Sequence, residues 1–406
     1  MLRKTYRNGT HRLVAPEETL ARVAPWLEPM GITRLANITH LDHLGIPVFQ
    51  AIRPNSKSLS VHQGKGQTIA AAKVSAAMEA AESWHAQNIE LPRRVASCDA
   101  MAESGRIAAP EWLPVGVETE IDRNAPLTWI GGRDLLADTP AWVPLHLVST
   151  DYTRDPELPA LARSSNGLAS GNHVVEAVVA ALCELIERDA IALWRSADPA
   201  ATAGRRVDPE TVDDEACRVL LRRIDDADLQ LSILDLTSDI GVPVFASRLI
   251  DCASDGPVAF GPAWGFGCHP ARAVALSRAL TEAAQSRLTQ IAGARDDIDP
   301  ASYGQGLDLT IAALLEELQW SRVGGKAYSE VAQFLTDDLE TELTWLLDRL
   351  AQAGLGQAIC VDLTHPRVGL PVVRMLVPGL GRRAVDGKFS VGRRPKSPGS
   401  GDGLHA

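Results

Sequence analysis

The sequence predicts an α+β fold, in which long helices are mixed irregularly with short strands. Ala-rich segments free of Pro and Gly indicate the helices, and short runs of β-branched and aromatic residues bounded by turn residues indicate the strands. Of the 406 residues, 45% are hydrophobic and 22% are charged, which is typical of a globular protein with a sizeable core. Because helices and strands do not alternate regularly, we do not expect a regular barrel.

The N-terminal half is predicted to contain two helices and few strands. We expect a capped helix over residues 16–27 and a strand over residues 46–53. The Ala-rich segment 68–87 predicts a long helix. Residues 92–159 are rich in Pro, Gly and Trp, so we expect only short strands there, such as 127–131.

The C-terminal half is predicted to contain more helix. Gly, Ser and Asn indicate a turn at residues 167–172, and Pro270 is placed for the first turn of a later helix. The predicted helices cover residues 174–194, 207–225, 271–291 and 328–353. The predicted strands cover residues 229–237, 242–250, 357–363 and 371–377.

The composition divides the chain into three regions. Residues 1–60 form an N-terminal lead-in, residues 61–380 form the core domain that carries the motifs below, and residues 381–406 form a tail. The tail consists largely of Gly, Ser, Pro and Arg with little apolar content, so we expect it to be disordered.

Charge and cysteine usage exclude several classes of protein. Lys and Arg total 40 and Asp and Glu total 51, giving a net charge of −11, which disfavours a nucleic-acid binder. No apolar run is long enough for a signal peptide or a membrane span, so we expect a cytoplasmic protein without a membrane partner. The six cysteines show no C-x-x-C spacing, and we expect reduced thiols rather than structural zinc or an iron–sulfur cluster.

The predicted helix at residues 174–194 carries its acidic side chains on one face. At about 100° per residue, Glu176, Glu184 and Glu187 share this face with Asn172. The rest of the circumference is apolar, which indicates a buried helix. Since a buried carboxylate is costly unless a cation compensates it, this face predicts a functional site.

The predicted helix at residues 68–87 repeats the pattern with Ser75, Glu79 and Glu82 on one face. If the two helices face each other, four carboxylates meet, and a metal ion must offset their repulsion. Oxygen ligands favour a hard cation, and Mg²⁺ is the natural choice where a phosphate completes the coordination. The alternative is that Glu79 and Glu82 lie on a solvated face and pair with arginines.

Short polar loops precede both acidic helices. Lys65 lies between two glycines before the first helix, and Ser165 and Asn166 precede Gly167 before the second. Free backbone N–H groups at a helix N-terminus accept anions, although both loops also fit purely structural turns. No G-x-x-x-x-G-K-[ST] motif occurs in the chain, which excludes a P-loop.

A third predicted helix places Arg278, Glu282, Gln285 and Thr289 on one face, with Arg287 close by. An arginine near a nucleotide can stabilise phosphate charge during transfer, or it can simply neutralise neighbouring carboxylates. We expect Cys183 and Cys268, which lie beside the motifs, to be inert buried thiols.

Taken in order, these motifs resemble the YcaO family, ATP-dependent enzymes that activate peptide backbone amides. The resemblance covers about residues 4–380 and rests on Gly64-Lys-Gly with residues 75–82, on residues 165–189, and on Glu282-Ala-Ala-Gln-Ser-Arg287. It implies a YcaO-type fold, with long buried helices packed on β-sheets around a central nucleotide cleft.

The resemblance also implies ATP and Mg²⁺ as cofactors and a set of site residues. We expect Glu79, Glu82, Glu184 and Glu187 to bind the metal. We expect nucleotide contacts from Lys65, Ser75, Ser165, Asn166, Asn172, Glu176 and Gln285, and catalytic roles for Arg188 and Arg287.

In the implied mechanism a nucleophile attacks the amide carbon, ATP phosphorylates the resulting oxygen, and phosphate leaves. External sulfide gives a thioamide, and an internal Cys, Ser or Thr gives an azoline. The run Ser83-Trp84-His85 and residues 292–297 look like the subgroup that forms thioamides with a TfuA partner, while Pro395-Lys-Ser-Pro398 departs from the Pro-rich ending common in azoline formers.

We therefore expect thioamide formation in a ribosomally synthesised peptide or protein, with a TfuA-like partner protein that presents it and with a possible homodimer. Azoline formation is the first alternative. The second is a non-catalytic accessory of ribosomal protein methylthiolation, which the presence of all four glutamates disfavours. A third is a structural cation site without a nucleotide.

Overall fold

The computed structural model describes residues 1–108, 122–155, 157, 163–198, 204–251, 262–295, 325–383 and 389–392. Within these ranges the α-helices are α1 (Pro16–Val23), α2 (Ile69–Gln87), α3 (Cys98–Ser104), α4 (Val174–Ser196), α5 (Glu215–Asp226), α6 (Arg272–Ala292) and α7 (Leu339–Gln352). The strands of the first half are β1 (Arg34–Asn37), β2 (Val48–Ile52), β3 (Val61–Lys65), β4 (Arg93–Ala96), β5 (Leu127–Asp134), β6 (Thr139–Pro144) and β7 (Leu168–Ser170). Those of the second half are β8 (Arg206–Val207), β9 (Leu229–Asp235), β10 (Val244–Asp251), β11 (Ala263–Cys268), β12 (Ile359–Asp362), β13 (Val372–Leu376), β14 (Arg382–Arg383) and β15 (Phe389–Ser390).

These strands form antiparallel sheets. One sheet has the order β1-β2-β3, a second has the order β11-β10-β9-β8, and β14 pairs with β15. The largest sheet has the order β4-β5-β12-β13-β7, with β6 paired to β5. The strand β7 is short, yet it is fixed in register because Ser170 lies opposite Val372 and Leu168 lies opposite Arg374. The predicted α+β class is thereby confirmed.

Three helices carry the acidic motifs, and each packs on its own support. Helix α2 covers β2 and β3, helix α4 lies on β7 and β13 and against α7, and helix α6 covers β10 and β11. The core of α4 includes the fully buried Leu182 and Ile186, whereas the face of α2 towards the sheet consists mainly of alanines such as Ala72, Ala76 and Ala80. Small side chains allow α2 to lie close to the sheet.

Glycines bring two of these helices into backbone contact with the preceding strand. A Cβ atom at Gly64 in β3 would lie 1.9 Å from the amide nitrogen of Ala76 in α2. A Cβ atom at Gly265 in β11 would lie 2.1 Å from both the carbonyl oxygen of Ala279 and the amide nitrogen of Ala283 in α6. Only glycine allows strand and helix to approach this closely.

Several predicted elements differ from the structure. The helix predicted at residues 207–225 begins only at Glu215, because Val207 pairs with Ile233 and Asp214 accepts a hydrogen bond from the amide of Cys217 as the helix cap. The helix predicted at residues 328–353 begins at Leu339 for a similar reason. Asp338 caps it through the amide of Thr341.

Several elements were not predicted. Residues 34–37, 61–65 and 263–268, to which no element was assigned, form β1, β3 and β11, and residues 168–170 inside the expected turn form β7. Helix α3 lies in the segment for which we expected only short strands. In the tail, β14 pairs with β15, which contradicts disorder for those residues, and the other tail residues beyond 383 fall largely outside the described ranges. The division of the chain into three regions stays a prediction.

Among the described residues, no helix combines the length and the apolar composition that crossing a bilayer requires. The five described cysteines are all free thiols, in agreement with the expected reduced state.

We expect that Gly265→Ala strongly destabilises the protein, because its Cβ atom collides with the backbone of α6 and overpacking of this kind costs about 1–3 kcal/mol. Gly131→Ala is the matched control, since that position is also in a strand and its Cβ atom would meet nothing within 4 Å. Thermal denaturation measures both. Equal melting temperatures for the two variants would contradict the close packing of β11 on α6.

Candidate functional site

Glu82 in α2 is held by the strand that precedes α4. Its Oε1 atom accepts hydrogen bonds from the backbone amide of Ser170 at 2.9 Å and from the Ser170 hydroxyl at 2.6 Å. Burial raises the pKa of Glu82 to about 8, the negative charges of Glu79 and Glu184 add to this, and the Ser170 hydrogen bonds partly offset it. The first acidic helix is therefore tied directly to the loop of the second.

Glu79, one turn earlier in α2, is reached by solvent although protein surrounds its carboxyl group. A side chain with both properties lies in the wall of a cleft. Desolvation raises the pKa of Glu79 to about 7, with Glu184 and Glu282 acting in the same direction and Lys65 and Arg295 acting against it. Glu79 thus shares its electrostatic environment with residues of α4 and α6.

The second pair of glutamates differs in its partners. Glu184 accepts a hydrogen bond from the backbone amide of Gly167 at 3.0 Å and lies 3.6 Å from Arg188. Glu187 is 2% exposed, and its Oε2 atom has no hydrogen-bond partner within the part of the chain that the structure describes. Burial raises the pKa of Glu187 to about 7, and the charge of Glu282 raises it further.

Helix α6 adds a fifth carboxylate and a cation. Glu282 forms an ion pair with Lys65 at the end of β3. Burial alone would raise the pKa of Glu282, but Lys65 and Arg188 outweigh burial, and the net effect is a lowered pKa. The carboxylates of Glu187 and Glu282 outweigh desolvation at Arg278 and raise its pKa. Helical periodicity predicts that Arg278 and Glu282 share one helix face, but neither was predicted as a site residue.

The acidic residues of α2, α4 and α6 therefore meet, as the sequence predicts for the first two helices. The cluster contains the five glutamates Glu79, Glu82, Glu184, Glu187 and Glu282, and its cations are Lys65, Arg188, Arg278 and Arg295. Burial alone would lower the pKa of Arg188, but Glu187, Glu184 and Glu282 outweigh it and raise that pKa above the ordinary value. The solvated-face alternative for Glu79 and Glu82 does not fit this arrangement.

The donor set fits magnesium held together with a phosphate rather than a cage made of protein alone. Within the described ranges, no three Asp, Glu, His or Cys side chains lie close enough together to enclose a metal ion. Mg²⁺ commonly takes one or two carboxylates and completes its octahedron with water and substrate phosphates. The unpartnered oxygen of Glu187 and the raised pKa values of Glu82 and Glu187, caused mainly by burial, identify carboxylates whose charge the described neighbours do not fully offset.

The predicted nucleotide residues of the loops and helices occupy different environments. Ser165 is exposed, and its carbonyl oxygen accepts a hydrogen bond from the amide of Leu168. Asn166 is half-buried, and its Nδ2 atom is buried without a hydrogen-bond partner among the described residues. Ser75 and Gln285 are half-buried on α2 and α6. The buried side-chain amide of Asn166, next to Gly167, can donate a hydrogen bond to an anionic or carbonyl oxygen of a ligand.

Asn172 and Glu176 at the start of α4 form a hydrogen-bonded unit. The Nδ2 atom of Asn172 donates to Glu176 at 3.2 Å, and its Oδ1 atom accepts from the hydroxyl of Thr19 at 3.0 Å. Glu176 also accepts from the side chain of Arg12 at 3.2 Å and from the amide of Leu13 at 2.9 Å. Sequence reasoning missed Arg12 and Leu13, since no local pattern connects them to a residue more than 160 positions away.

Arg287 is committed to other carboxylates. Its Nε atom lies 2.7 Å from Asp42, its Nη2 atom lies 2.9 Å from Asp251, and the residue is 6% exposed. These contacts favour the alternative in which Arg287 neutralises neighbouring acids. Arg188, in contrast, contacts Glu184 and lies within the glutamate cluster.

The Ser83-Trp84-His85 run directly follows Glu82, with Ser83 and His85 buried and Trp84 half-buried. His85 is 1% exposed, its Nδ1–H donates to the carbonyl oxygen of Ala81 at 2.8 Å, and burial lowers the pKa of His85 to about 4. Trp84 makes edge contacts with His85 and His365 at centroid distances of 5.0 and 5.1 Å. This run therefore shapes the packing around the C-terminal half of α2.

Comparison with known proteins identifies the family of the chain. A family model described as YcaO cyclodehydratase, ATP- and Mg²⁺-binding, matches residues 63–381. A protein from Rhizobium leguminosarum bv. trifolii, described as an uncharacterised protein in the tfuA 3′ region, is 39% identical over 376 residues, which are 91% of this chain and 88% of that protein. An uncharacterised protein from Methanothermobacter thermautotrophicus is 35% identical over 402 residues, covering 95% and 98% of the two chains.

Solved structures show the same architecture. The structure of YcaO from Methanopyrus kandleri bound with AMPPCP and Mg²⁺ has a TM-score of 0.75 and 26% identity, and the match covers 98% of this chain and 100% of that one. A heterocyclase in complex with substrate and cofactor has a TM-score of 0.77 at 24% identity, a level that shows the fold alone. The match covers 94% of this chain but 54% of the heterocyclase, so the present chain spans about half of that protein's length.

The raised pKa values of Glu82 and Glu187 predict how the metal-free protein responds to pH. The folded state holds protons on these carboxyls up to about pH 7 to 8, whereas the unfolded state releases them near 4.5. Stability from these two groups is therefore complete below about pH 4.5 and is lost as the pH rises through 7 to 8. We expect the melting temperature of the metal-free protein to fall between about pH 4.5 and pH 8, where the folded state still holds these protons and the unfolded state has released them.

Glu82→Gln should flatten this decrease, because the amide cannot titrate, whereas Glu103→Gln on the exposed surface of α3 should leave the decrease unchanged. Differential scanning fluorimetry in chelator measures all three proteins. A wild-type melting temperature that rises over this pH range would contradict the raised pKa values.

Proposed function

Since the chain belongs to the YcaO family, whose members bind ATP and Mg²⁺, we propose that it activates a peptide backbone amide with ATP and, more specifically, that it forms a thioamide with a TfuA-like partner protein. The observation that carries the proposal is the glutamate cluster, in which Glu187 keeps one oxygen without a partner among the described residues while burial raises its pKa. Holding carboxylates of three helices together costs free energy, and a bound cation would offset this cost.

We assign the metal to the four glutamates predicted from the sequence. Glu79 is exposed to solvent and Glu187 keeps one oxygen without a partner among the described residues, whereas Glu82 and Glu184 are oriented by Ser170 and Gly167. Bound MgATP supplies the phosphoryl group that converts an amide oxygen into a leaving group. Mg²⁺ takes few protein carboxylates and completes its coordination with oxygens of water and phosphate. Four carboxylates, two of them held in a fixed orientation, suit this coordination.

We assign the balancing positive charge to Lys65, Arg188 and Arg278. Lys65 pairs with Glu282, so that its ammonium group stays at the end of β3 beside the α2 N-terminus. Arg188 and Arg278 are raised in pKa by the surrounding glutamates and stay protonated. Fixed cations beside transferring phosphate offset the charge that develops during transfer, and they need no reorganisation when it does.

The thioamide product is supported by the subgroup motifs and by one relative. The Ser83-Trp84-His85 run and the residues around Arg295 resemble the subgroup that works with TfuA, and the Rhizobium protein is described by its position in the tfuA 3′ region. Arg295 also influences the pKa of Glu79, so that the second motif reaches the glutamate cluster. We further propose a cytoplasmic location, where the free thiols of the described cysteines persist.

Azoline formation from Cys, Ser or Thr is the second candidate. The family model is described as a cyclodehydratase, and this description favours it. Both products start from the same activated amide, and they differ in whether the nucleophile comes from outside or from the substrate itself.

We expect that Glu184→Gln and Glu187→Gln each reduce ATP hydrolysis at least about 100-fold, because an amide neither binds Mg²⁺ well nor offsets the charge of Arg188. Release of phosphate by the purified protein, with its peptide and partner present, measures the loss. Glu103→Gln is the control and should retain wild-type turnover. Wild-type turnover in Glu187→Gln, with a normal melting curve, would remove the metal assignment.

The product itself is decided by mass spectrometry of candidate peptides treated with the protein, ATP, sulfide and partner. Exchange of oxygen for sulfur adds about 16 Da, and loss of water subtracts about 18 Da. We expect the gain, dependent on both sulfide and partner. A loss of water that persists without sulfide would replace the thioamide proposal with azoline formation.

A further inference from the structure

The first residues of the chain form a strap that crosses the molecule. We call residues 2–13 the N-terminal strap. One end is anchored at the start of α7, where Leu339 donates its amide to the carbonyl oxygen of Leu2 at 3.0 Å. Lys4 reaches Glu342 with 2.8 Å between Nζ and Oε2, and both side chains are 1% exposed. A buried ion pair of this kind costs several kcal/mol to break by removing one partner, so this end is fixed.

The other end of the strap is anchored on Glu176. Tyr6 and Arg12 exchange backbone hydrogen bonds at 3.1 and 2.9 Å, which folds the strap back and presents Arg12. The Arg12 guanidinium lies 3.2 Å from Glu176 Oε1, and the Leu13 amide donates to Oε2 at 2.9 Å. Glu176 is 3% exposed, and Arg12 is the cation with which this buried carboxylate forms an ion pair.

Glu176 transmits the position of the strap to the loop before α4. Its Oε1 atom also accepts the backbone amide of Asn172 at 3.3 Å and the Asn172 side chain at 3.2 Å. The same loop carries Ser170 and Gly167, which hold the carboxylates of Glu82 and Glu184. Three consecutive contacts thus connect the strap to the glutamate cluster.

Packing between the strap and α4 is incomplete at one place. A cavity of about 30 Å³ is lined by His11 and Arg12 of the strap, by Glu176 and Cys183 of α4, and by Arg278 of α6. Since the apolar contact is loose here, the hydrogen bonds of Glu176 must determine how the strap and α4 are aligned.

We propose that Arg12 is a positioning residue for the nucleotide site, acting through Glu176 to orient Asn172. The strap lies before residues 63–381, which the family model matches, so the inference concerns a part of the chain beyond that match. It rests on the proposed function, because the readout is nucleotide binding. Within the part of the chain that the structure describes, the Arg12 side chain forms its hydrogen bond with Glu176 and not with the four glutamates assigned to the metal. Its effect on the nucleotide site therefore passes through Glu176 and Asn172.

The test measures the dissociation constant of Mg²⁺–AMPPCP by calorimetry in the full-length protein, with the melting temperature recorded alongside. We expect Arg12→Ala to weaken binding by about tenfold and Arg12→Lys to restore most of it, since lysine keeps a cationic donor. Arg7→Ala is the control in the same strap, because Arg7 pairs with Asp337 on the exposed surface, and it should bind like the wild type.

A double-mutant cycle separates positioning from simple stabilisation. In an Asn172→Ala background, Arg12→Ala should cause no further loss of affinity, although it should still lower the melting temperature. Losses of affinity that multiply in the double variant, or unchanged affinity in Arg12→Ala, would overturn the proposal. If Arg12→Ala fails to fold, wild-type affinity in Arg12→Gln would overturn it in the same way.

Failure of the proposed function gives a different result. If the wild-type protein binds no Mg²⁺–AMPPCP, both proposals are overturned. If the wild type and Arg12→Ala bind Mg²⁺–AMPPCP with equal affinity, only the role of the strap is overturned.

Discussion

The structure depends on bringing like charges together in a cleft that is largely enclosed by protein. Five glutamates from α2, α4 and α6 share one cleft, and the fixed cations near them are too few to compensate every oxygen. Each unpaired carboxylate makes folding less favourable. The cluster persists because the surrounding packing stabilises the folded state by more than these carboxylates destabilise it. Under the proposed function, a divalent cation and the phosphates that accompany it would relieve this repulsion.

The scaffold supports this cleft with backbone groups and close packing rather than with long side chains. Gly167 and Ser170 offer amides to Glu184 and Glu82, and β7 holds both in register through its pairing with β13. From the other side of the same sheet, Arg374 in β13 donates to the carbonyl oxygens of Leu147 and Ser164 at 3.0 and 2.7 Å. The loop that carries the second motif is therefore fixed at both ends, which preorganises the carboxylates it holds.

This arrangement separates activation of the amide from the choice of product. The glutamate cluster and its cations would act on the nucleotide whichever nucleophile attacks the amide. His85 is buried and Trp84, half-buried, packs against it, so the two residues that resemble the thioamide-forming subgroup contribute to packing beside Glu82. Under the proposed function, the identity of the nucleophile depends on what the partner and the substrate deliver. The N-terminal residues 2–13 and the loop before α4, which lie far apart in the sequence, both contribute to the arrangement of the site.

The sequence by itself determined the α+β class, the three acidic helices and the shared faces of Glu79 with Glu82 and of Glu184 with Glu187, because helical periodicity and apolar backgrounds are local properties. It did not determine β7 or β11, whose few residues become strands only by pairing with β13 and β10. Nor could it connect Arg12 with Glu176, or show that Arg287 is committed to Asp42 and Asp251. These outcomes depend on which distant side chains share a buried space, and only the tertiary structure sets that, since the free energy of a buried charge depends on all of its neighbours at once.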